Sequence, residues 1–505
     1  MSSNNTQRNI LFGFLSWFAP LAITFGTTPF IVRRLGVENY GLYSLVTGFI
    51  SYSVLFNVGR AVTKYVAEYR ATNRGEIIGE IIGATLILNV FVGVASAIFL
   101  VAISPFLARN VLLIEPRLEN QAVEALQIAA LVIASAMIGQ VFTAILQAIH
   151  RFDVFSNIAI ISNILLAVGN LVLVLTGFGV TILLWWTLTT IVLTGVLSLI
   201  ASRQLLPNQK LVRFGDYSLV KKIVGFSSSV TVYQISGNLL LLFERGLITR
   251  TFGTENFTYY SVPMIIAFSV HGFIASFSIV IFPLTSELTA QSGNVENQVK
   301  LLSLYTRATK FVCLLVVFIA LTASISAREF LTLWLGADFA ERSTTLLILQ
   351  ITTYSIMAIS VIAWQLIEGY GKPFYNAVWT FFMLVIGICS MLALVNQYGS
   401  AGVAIGRLVA VATVVVLMAK TERIIFGGVL WRFWGEIVLK LSVAGFVTGI
   451  IETLVVKNLS LGWLSLGATG IIGGATFIIA LLTLGFLTVD ERRWCESFIQ
   501  KAIGR

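Results

Sequence analysis

Fourteen apolar runs, each about as long as a helix needs to cross a bilayer, occupy nearly all of this 505-residue chain: 9–32, 41–66, 78–105, 121–148, 155–177, 180–202, 219–249, 257–284, 301–325, 343–367, 374–396, 401–420, 435–456 and 463–488. A hydrocarbon core of about 30 Å takes about 20 helical residues. Backbone N–H and C=O groups in lipid must be paired internally, so such runs read as helices. The longest polar connections, Glu68–Glu80, Arg203–Lys222 and Glu287–Lys300, leave no room for a soluble domain. Charged residues make up 11% of the chain and hydrophobic ones 57%. A water-facing globule carries about 25% charged residues. The expected fold is therefore an all-α polytopic membrane protein of about 14 transmembrane helices.

Lysine and arginine alternate in density along the loops. With the N-terminus inside, the inner loops hold most of the 33 basic residues, among them Arg70, Arg74, Lys210, Arg213, Lys221, Lys222, Arg423, Arg492 and Arg493. The positive-inside rule then places both termini in the cytoplasm. The net charge of +10 reads as topology and contact with anionic membrane lipids, not nucleic-acid binding. The run from Ile10 to Val32 is too long for a signal-peptide h-region and reads as the first span. Cys313, Cys389 and Cys495 lack paired spacing, and His150 and His271 lack metal-ligand spacing, so neither disulfide, metal nor cofactor is expected.

A repeat divides the chain. Gly-Val-Glu-Asn-Tyr-Gly-Leu-Tyr-Ser-Leu at Gly36–Leu45 returns as Gly-Thr-Glu-Asn-Phe-Thr-Tyr-Tyr-Ser-Val at Gly253–Val262. A weaker echo, at nearly the same offset, pairs Phe155 and Asn157 with Phe374 and Asn376, and Phe178-Gly179 with Tyr398-Gly399. Six spans lie between the copies, so both face one side of the membrane, as in a parallel repeat about an axis along the membrane normal. The expected organisation is two six-helix bundles, 1–213 and 214–425, with two added helices in 426–505. A cleft between two lobes that rock is the simplest route to alternating access. The motif itself suits a turn, with glycine supplying the backbone angle and asparagine starting a helix.

Ionisable residues at lipid depth are costly and tend to face an internal cavity. Asn57, Arg60 and Lys64 share one face of the second span, and Gln234, Asn238 and Arg245 one face of the seventh. Glu244 points about 100° away from Arg245, so it should meet a cation on another helix or titrate. Arg407, deep in the twelfth span, is a candidate partner for Glu244 or for an anion, and His271 in the eighth span is a candidate cavity-lining group. The inventory leans cationic: Arg33, Arg34, Arg60, Arg245, Arg250 and Arg407 against Glu244. Guanidinium grips phosphate bidentately. A substrate with an anionic head and a lipid tail would suit such a cleft.

Three stretches carry a resemblance: Ile31-Val-Arg-Arg-Leu-Gly-Val-Glu-Asn-Tyr-Gly-Leu-Tyr-Ser44, Val280-Ile-Phe-Pro-Leu-Thr-Ser-Glu287 and Phe330-Leu-Thr-Leu-Trp-Leu-Gly336. In order and spacing they resemble the polysaccharide-transporter family of lipid-linked oligosaccharide flippases. The resemblance implies the multidrug/oligosaccharidyl-lipid/polysaccharide exporter fold, shared with MATE drug exporters and peptidoglycan-precursor flippases. It implies movement of undecaprenyl-pyrophosphate-linked sugars from the inner to the outer leaflet of a bacterial cytoplasmic membrane. It leaves H+ or Na+ coupling and a polysaccharide polymerase partner open. The chain departs from the pattern at Glu244-Arg245, where relatives often carry Asp, and at Asn57, where an acid is common.

Two other classes compete. A MATE-like small-molecule exporter would usually carry an acid in the first bundle, where this chain offers Asn57. A membrane glycan polymerase would need a long outer catalytic loop. The outer loops here are short, with Glu115, Glu119 and Glu124 as their main acids, and no nucleophile or paired-carboxylate constellation marks an enzyme.

Overall fold

A computed structural model describes residues 22–51, 62–63, 65–66, 75–149, 151–206, 217–278, 281, 285, 288–289 and 295–486. Every regular element among them is helical. In chain order they are α1 (22–35), α2 (Val37–Ser51), α3 (Gly75–Phe106, continued by a π-turn at Leu107–Val111), α4 (Glu119–Ala148), α5 (Phe152–Leu175), α6 (Val180–Leu205) and α7 (Tyr217–Ser278). There follow α8 (Val295–Ile325), α9 (Ala327–Leu335), α10 (Ala337–Gly369), α11 (Phe374–Ala412), α12 (Val414–Phe426), α13 (Trp431–Asn458) and α14 (Trp463–Thr483).

Ten helical stretches among the described residues are long and apolar enough to cross a membrane. Two of them, Gln234–Ser276 and Phe374–Phe426, break at glycines with non-helical backbone, Gly253 (φ 82°, ψ 174°) and Gly399 (φ 60°, ψ −140°). Counting each as a pair of helices, the described part holds twelve of the expected crossings. The first two, 9–32 and 41–66, are described only in part. Several helices outrun their apolar runs. α8 starts at Val295 where the run starts at 301, and α10 covers Ala337–Gly369 where the run covers 343–367. Their first turns carry Glu296 and Asp338, and acids at a helix N-terminus favour extension beyond the hydrocarbon.

The repeated motif has one geometry in both places. Gly36 and Gly253 adopt φ of 80° and 82°, the left-handed region open to glycine. The asparagine three residues on donates to the carbonyl of the residue immediately before that glycine. Asn39 Nδ2 meets Leu35 O at 3.1 Å, and Asn256 Nδ2 meets Phe252 O at 2.8 Å. This corrects the expectation that asparagine serves the start of the following helix. It closes the end of the preceding one, whose last carbonyls have no helical donor.

The described residues fall into two compact units, one of Met1–Val262 with Ala377–Ala410, the other of Pro263–Asn376 with Val411–Arg505. In the first, α4 crosses α6 at Gly139 and Gly195, where a Cβ on either would stand 3.3 Å from the other's Cα. Small residues let helices approach closely where lipid offers no hydrophobic drive. In the second, Cys313 of α8, Leu441 of α13, Phe477 of α14 and Phe486 share one apolar core. The buried Glu422 of α12 accepts hydrogen bonds from Tyr305 Oη (2.8 Å), Leu430 N (2.9 Å) and Trp434 Nε1 (2.7 Å), tying three elements together. The Phe330–Gly336 stretch is the amphipathic α9. It buries Ala327, Leu331 and Trp334 on one stripe and turns at Gly336 (φ 108°) into α10.

Candidate functional site

The polar centre of the first unit is built on the adjacent residues Glu244 and Arg245 of α7, which leave the helix about 100° apart. Glu244 is 2% exposed, and its Oε2 accepts from Arg407 Nη1 at 2.8 Å. Its Oε1 accepts from the Tyr260 hydroxyl, which comes from α7 beyond the Gly253 break. Arg407 lies on α11 beyond its own glycine break and is 4% exposed. Each charge alone would be expensive at lipid depth, and each neutralises the other. Glu244 thus faces a cation on another helix, and Arg407 spends its charge on that carboxylate.

Arg245 turns toward α2. Its Nη1 donates to Ser44 O at 3.0 Å. Its guanidinium fills the space above Gly48, where a Cβ would collide with it. The guanidinium carbon stands 5.9 Å from the centre of the Phe257 ring, within cation–π range. One side chain therefore holds α2 against both arms of α7.

The two copies of the repeat meet next to this point. Thr258 of the second copy donates to Val37 O of the first. Gly41 of the first lies so close under the Thr254 carbonyl that no Cβ would fit. The connection between α3 and α4 straps both copies. Glu115 accepts from Thr254 N (3.2 Å) and Thr254 Oγ1 (3.3 Å), and Arg117 reaches Glu38 at 2.6 Å. Arg250 Nη1 donates to the carbonyls of Asn110 (2.7 Å) and Val111 (2.9 Å), and Arg109 pairs with Glu119. Glu124 accepts weakly from Thr181 Oγ1 at 3.4 Å. Glu115, Glu119 and Glu124 thus each hold neighbouring backbone or side chains.

Arg245, Arg250, Glu244 and Arg407 belong to this one connected region. Arg33 and Arg34 are exposed at the end of α1, just before Gly36. Gln234 and Asn238 are half-buried on α7, and the Gln234 Oε1 is buried without a hydrogen-bond partner. A Cβ on Gly237, between them, would stand 3.7 Å from Thr380 Cγ2 on α11. His271 belongs to the second unit. Its ring centre lies 5.9 Å from that of Phe268, which packs edge-on against Tyr354, and its Nδ1 is buried without a partner. Asn57 and Arg60 lie outside the described residues. Among the described residues no three His, Cys, Asp or Glu side chains gather as metal ligands would.

Sequence reasoning missed Tyr260, Glu422 and Glu452. Tyr260 was visible only as a motif letter, with Tyr43 as its counterpart. Tyr43 accepts from Asn170 Nδ2 at 3.0 Å, so the matched tyrosines serve different partners. Glu452, buried on α13, accepts from Thr322 Oγ1 at 2.7 Å and fills the space that a Cβ on Gly473 would need.

The fold is shared with solved structures of MATE transporters and of a lipid II flippase. The chain superposes on the lipid II flippase MurJ in an inward closed conformation with a TM-score of 0.74, at 13% identity, over 98% of this chain and 100% of that one. It superposes on an inward-facing MATE multidrug resistance transporter with a TM-score of 0.66, at 16% identity, over 82% of this chain and 94% of that one. The sequence model of a family described as "Polysaccharide biosynthesis protein" matches residues 30–344, more than half of the chain, which therefore belongs to that family. A Shigella flexneri protein named "Putative O-antigen transporter" is 22% identical over 412 residues, covering 79% of this chain and 93% of the relative.

Proposed function

We propose that this protein is a flippase that carries undecaprenyl-pyrophosphate-linked oligosaccharide across a bacterial cytoplasmic membrane for surface polysaccharide synthesis, by alternating access and without chemistry on its cargo. The observation that supports this most is the extent of the fold agreement. The lipid II flippase matches 98% of the chain and the drug exporter 82%. Family membership and the O-antigen transporter relative point the same way.

In this reading the halves 1–213 and 214–425 alternate, residues 426–505 add two helices, and both termini are cytoplasmic. Arg33, Arg34, Arg60, Arg245 and Arg250 serve the pyrophosphate, because guanidinium pairs bidentately with phosphate oxygens. Asn57, Gln234 and Asn238 serve as polar cavity-lining or ion-coupling groups in the first unit, and His271 as such a group in the second. Arg407 acts through Glu244 as its counter-ion. An H+ or Na+ that drives transport would act at Glu244 by competing with Arg407. A polysaccharide polymerase would be the downstream partner. The second reading, a MATE-like small-molecule exporter, rests on the 0.66 TM-score to that class.

Deletion of the gene separates them. Undecaprenyl-linked oligosaccharide accumulating on the cytoplasmic leaflet supports the flippase. Unchanged surface glycan with altered drug sensitivity supports the exporter.

A further inference from the structure

The second unit holds a cavity that the transport reading does not use. It measures about 260 Å³ and is lined by Thr306, Arg307 and Lys310 of α8, Phe433, Glu436 and Ile437 of α13, and Phe486. Arg307 and Lys310 sit three residues apart, on one face of α8. Lys310 Nζ stands 5.0 Å from the centre of the Phe486 ring, and Arg307 is exposed. The one acid in the lining, Glu436, is bound by Lys440, whose Nζ also donates to Gly485 O at 3.0 Å. The lining thus carries two cations and one acid, and Lys440 adds a further cation beside that acid, so the local charge is positive.

The cavity stands at the ends of two apolar spans. α13 starts at Trp431 and α14 ends at Thr483, and the cavity lies where the one begins and the other has just ended. Trp431, Phe433 and Trp434 gather in the first turn of α13, the aromatic belt expected at a membrane–water interface. Directly along the same helices, Val438 and Leu439 of α13 and Ile478 and Ile479 of α14 are exposed apolar side chains, each 57–67% accessible. These faces suit acyl chains.

We propose that this cavity binds the headgroup of an anionic phospholipid of the surrounding bilayer. The phosphodiester is held by Arg307 and Lys310, the glycerol backbone lies against Phe433 and Phe486, and the acyl chains run along the exposed faces of α13 and α14. A fixed phosphate charge here would anchor the two added helices to the bilayer edge. Basic pockets between transmembrane helices recognise anionic headgroups by the same pairing. A bilayer lipid, not free phosphate, is the fitting occupant, because apolar helix faces continue from the charged cavity.

The test uses the full-length protein in detergent, titrated with phosphatidylglycerol or phosphatidylcholine, with bound lipid counted by native mass spectrometry. The proposal expects at least a tenfold preference for phosphatidylglycerol in the wild type, lost in R307A/K310A and kept in R307K/K310R. If the double alanine variant does not yield folded protein, R307Q alone should reduce the preference severalfold. Equal binding of the two lipids by the wild type would overturn the proposal. So would a preference unchanged in R307A/K310A and R307Q, or full displacement of phosphatidylglycerol by millimolar inorganic phosphate.

Discussion

Glu244 and Arg407, 163 residues apart in the chain, form a buried ion pair at 2.8 Å, with the Tyr260 hydroxyl on the other carboxylate oxygen. Each residue lies about two helical turns from a glycine break, Glu244 before Gly253 and Arg407 after Gly399. The pair therefore joins the two broken helices of the first unit at membrane depth. Leaving either charge unpaired in a low-dielectric interior costs about 3–5 kcal/mol. R407A and E244A are each expected to lower thermal stability in detergent and to abolish transport. The charge swap E244R/R407E should recover part of the stability. A swap no better than the singles would show that the pair is not the stabilising element.

Arg245 and the repeat contact depend on absent side chains. A Cβ on Gly48 would meet the Arg245 guanidinium, and one on Gly41 would meet the Thr254 carbonyl. Overpacking of this kind costs about 1–3 kcal/mol. G41V and G48V should each lower Tm, with Gly41 the more sensitive because its obstacle is backbone and that of Gly48 is a flexible side chain. G26A, with nothing within 4 Å of its Cβ, is the control and should leave Tm unchanged.

The matched asparagines allow an internal comparison. Asn39 and Asn256 each close a helix end across a glycine break. Removing such a hydrogen bond costs about 0.5–1.5 kcal/mol. N39A and N256A should therefore destabilise by similar amounts in thermal unfolding. A large difference would show that the two copies are equivalent in sequence only.

In the second unit Glu422 accepts from three donors on α8, the α12–α13 connection and α13. E422A orphans a buried tyrosine hydroxyl, an indole N–H and a backbone N–H, at a cost of about 1–3 kcal/mol for each unsatisfied group. It should reduce folded yield more than Y305F, which removes one donor and leaves the others served. Limited proteolysis of the purified variants would rank the two.

The spans were legible because lipid imposes one simple rule on about 20 residues at a time. The duplicated Gly-x-Glu-Asn was legible as a turn, since only glycine takes φ near 80° without strain. The direction of the asparagine bond was not, because side-chain donors can serve either flanking helix. The divergence of Glu244 from Arg245 followed from helix geometry alone, and so did the need for a cation elsewhere. Tyr260 as the second ligand could not be read, since it depends on how α7 bends at Gly253. Glu422 and Glu452 were hidden for a similar reason. Glu452 lies within an apolar stretch and Glu422 among the charged Lys420 and Arg423, and the partners Thr322 and Tyr305 come from more than a hundred residues away.

The central claim is movement of a lipid-linked oligosaccharide between leaflets, and reconstitution tests it most directly. Purified protein in vesicles would be given undecaprenyl-pyrophosphate-linked oligosaccharide with a fluorescent sugar, and quenching from outside would follow its transfer. The account expects transfer by the wild type and its loss in R245A and in E244A, judged on protein that remains folded. Transfer no faster than in protein-free vesicles, alongside export of small cations by the same preparation, would contradict it.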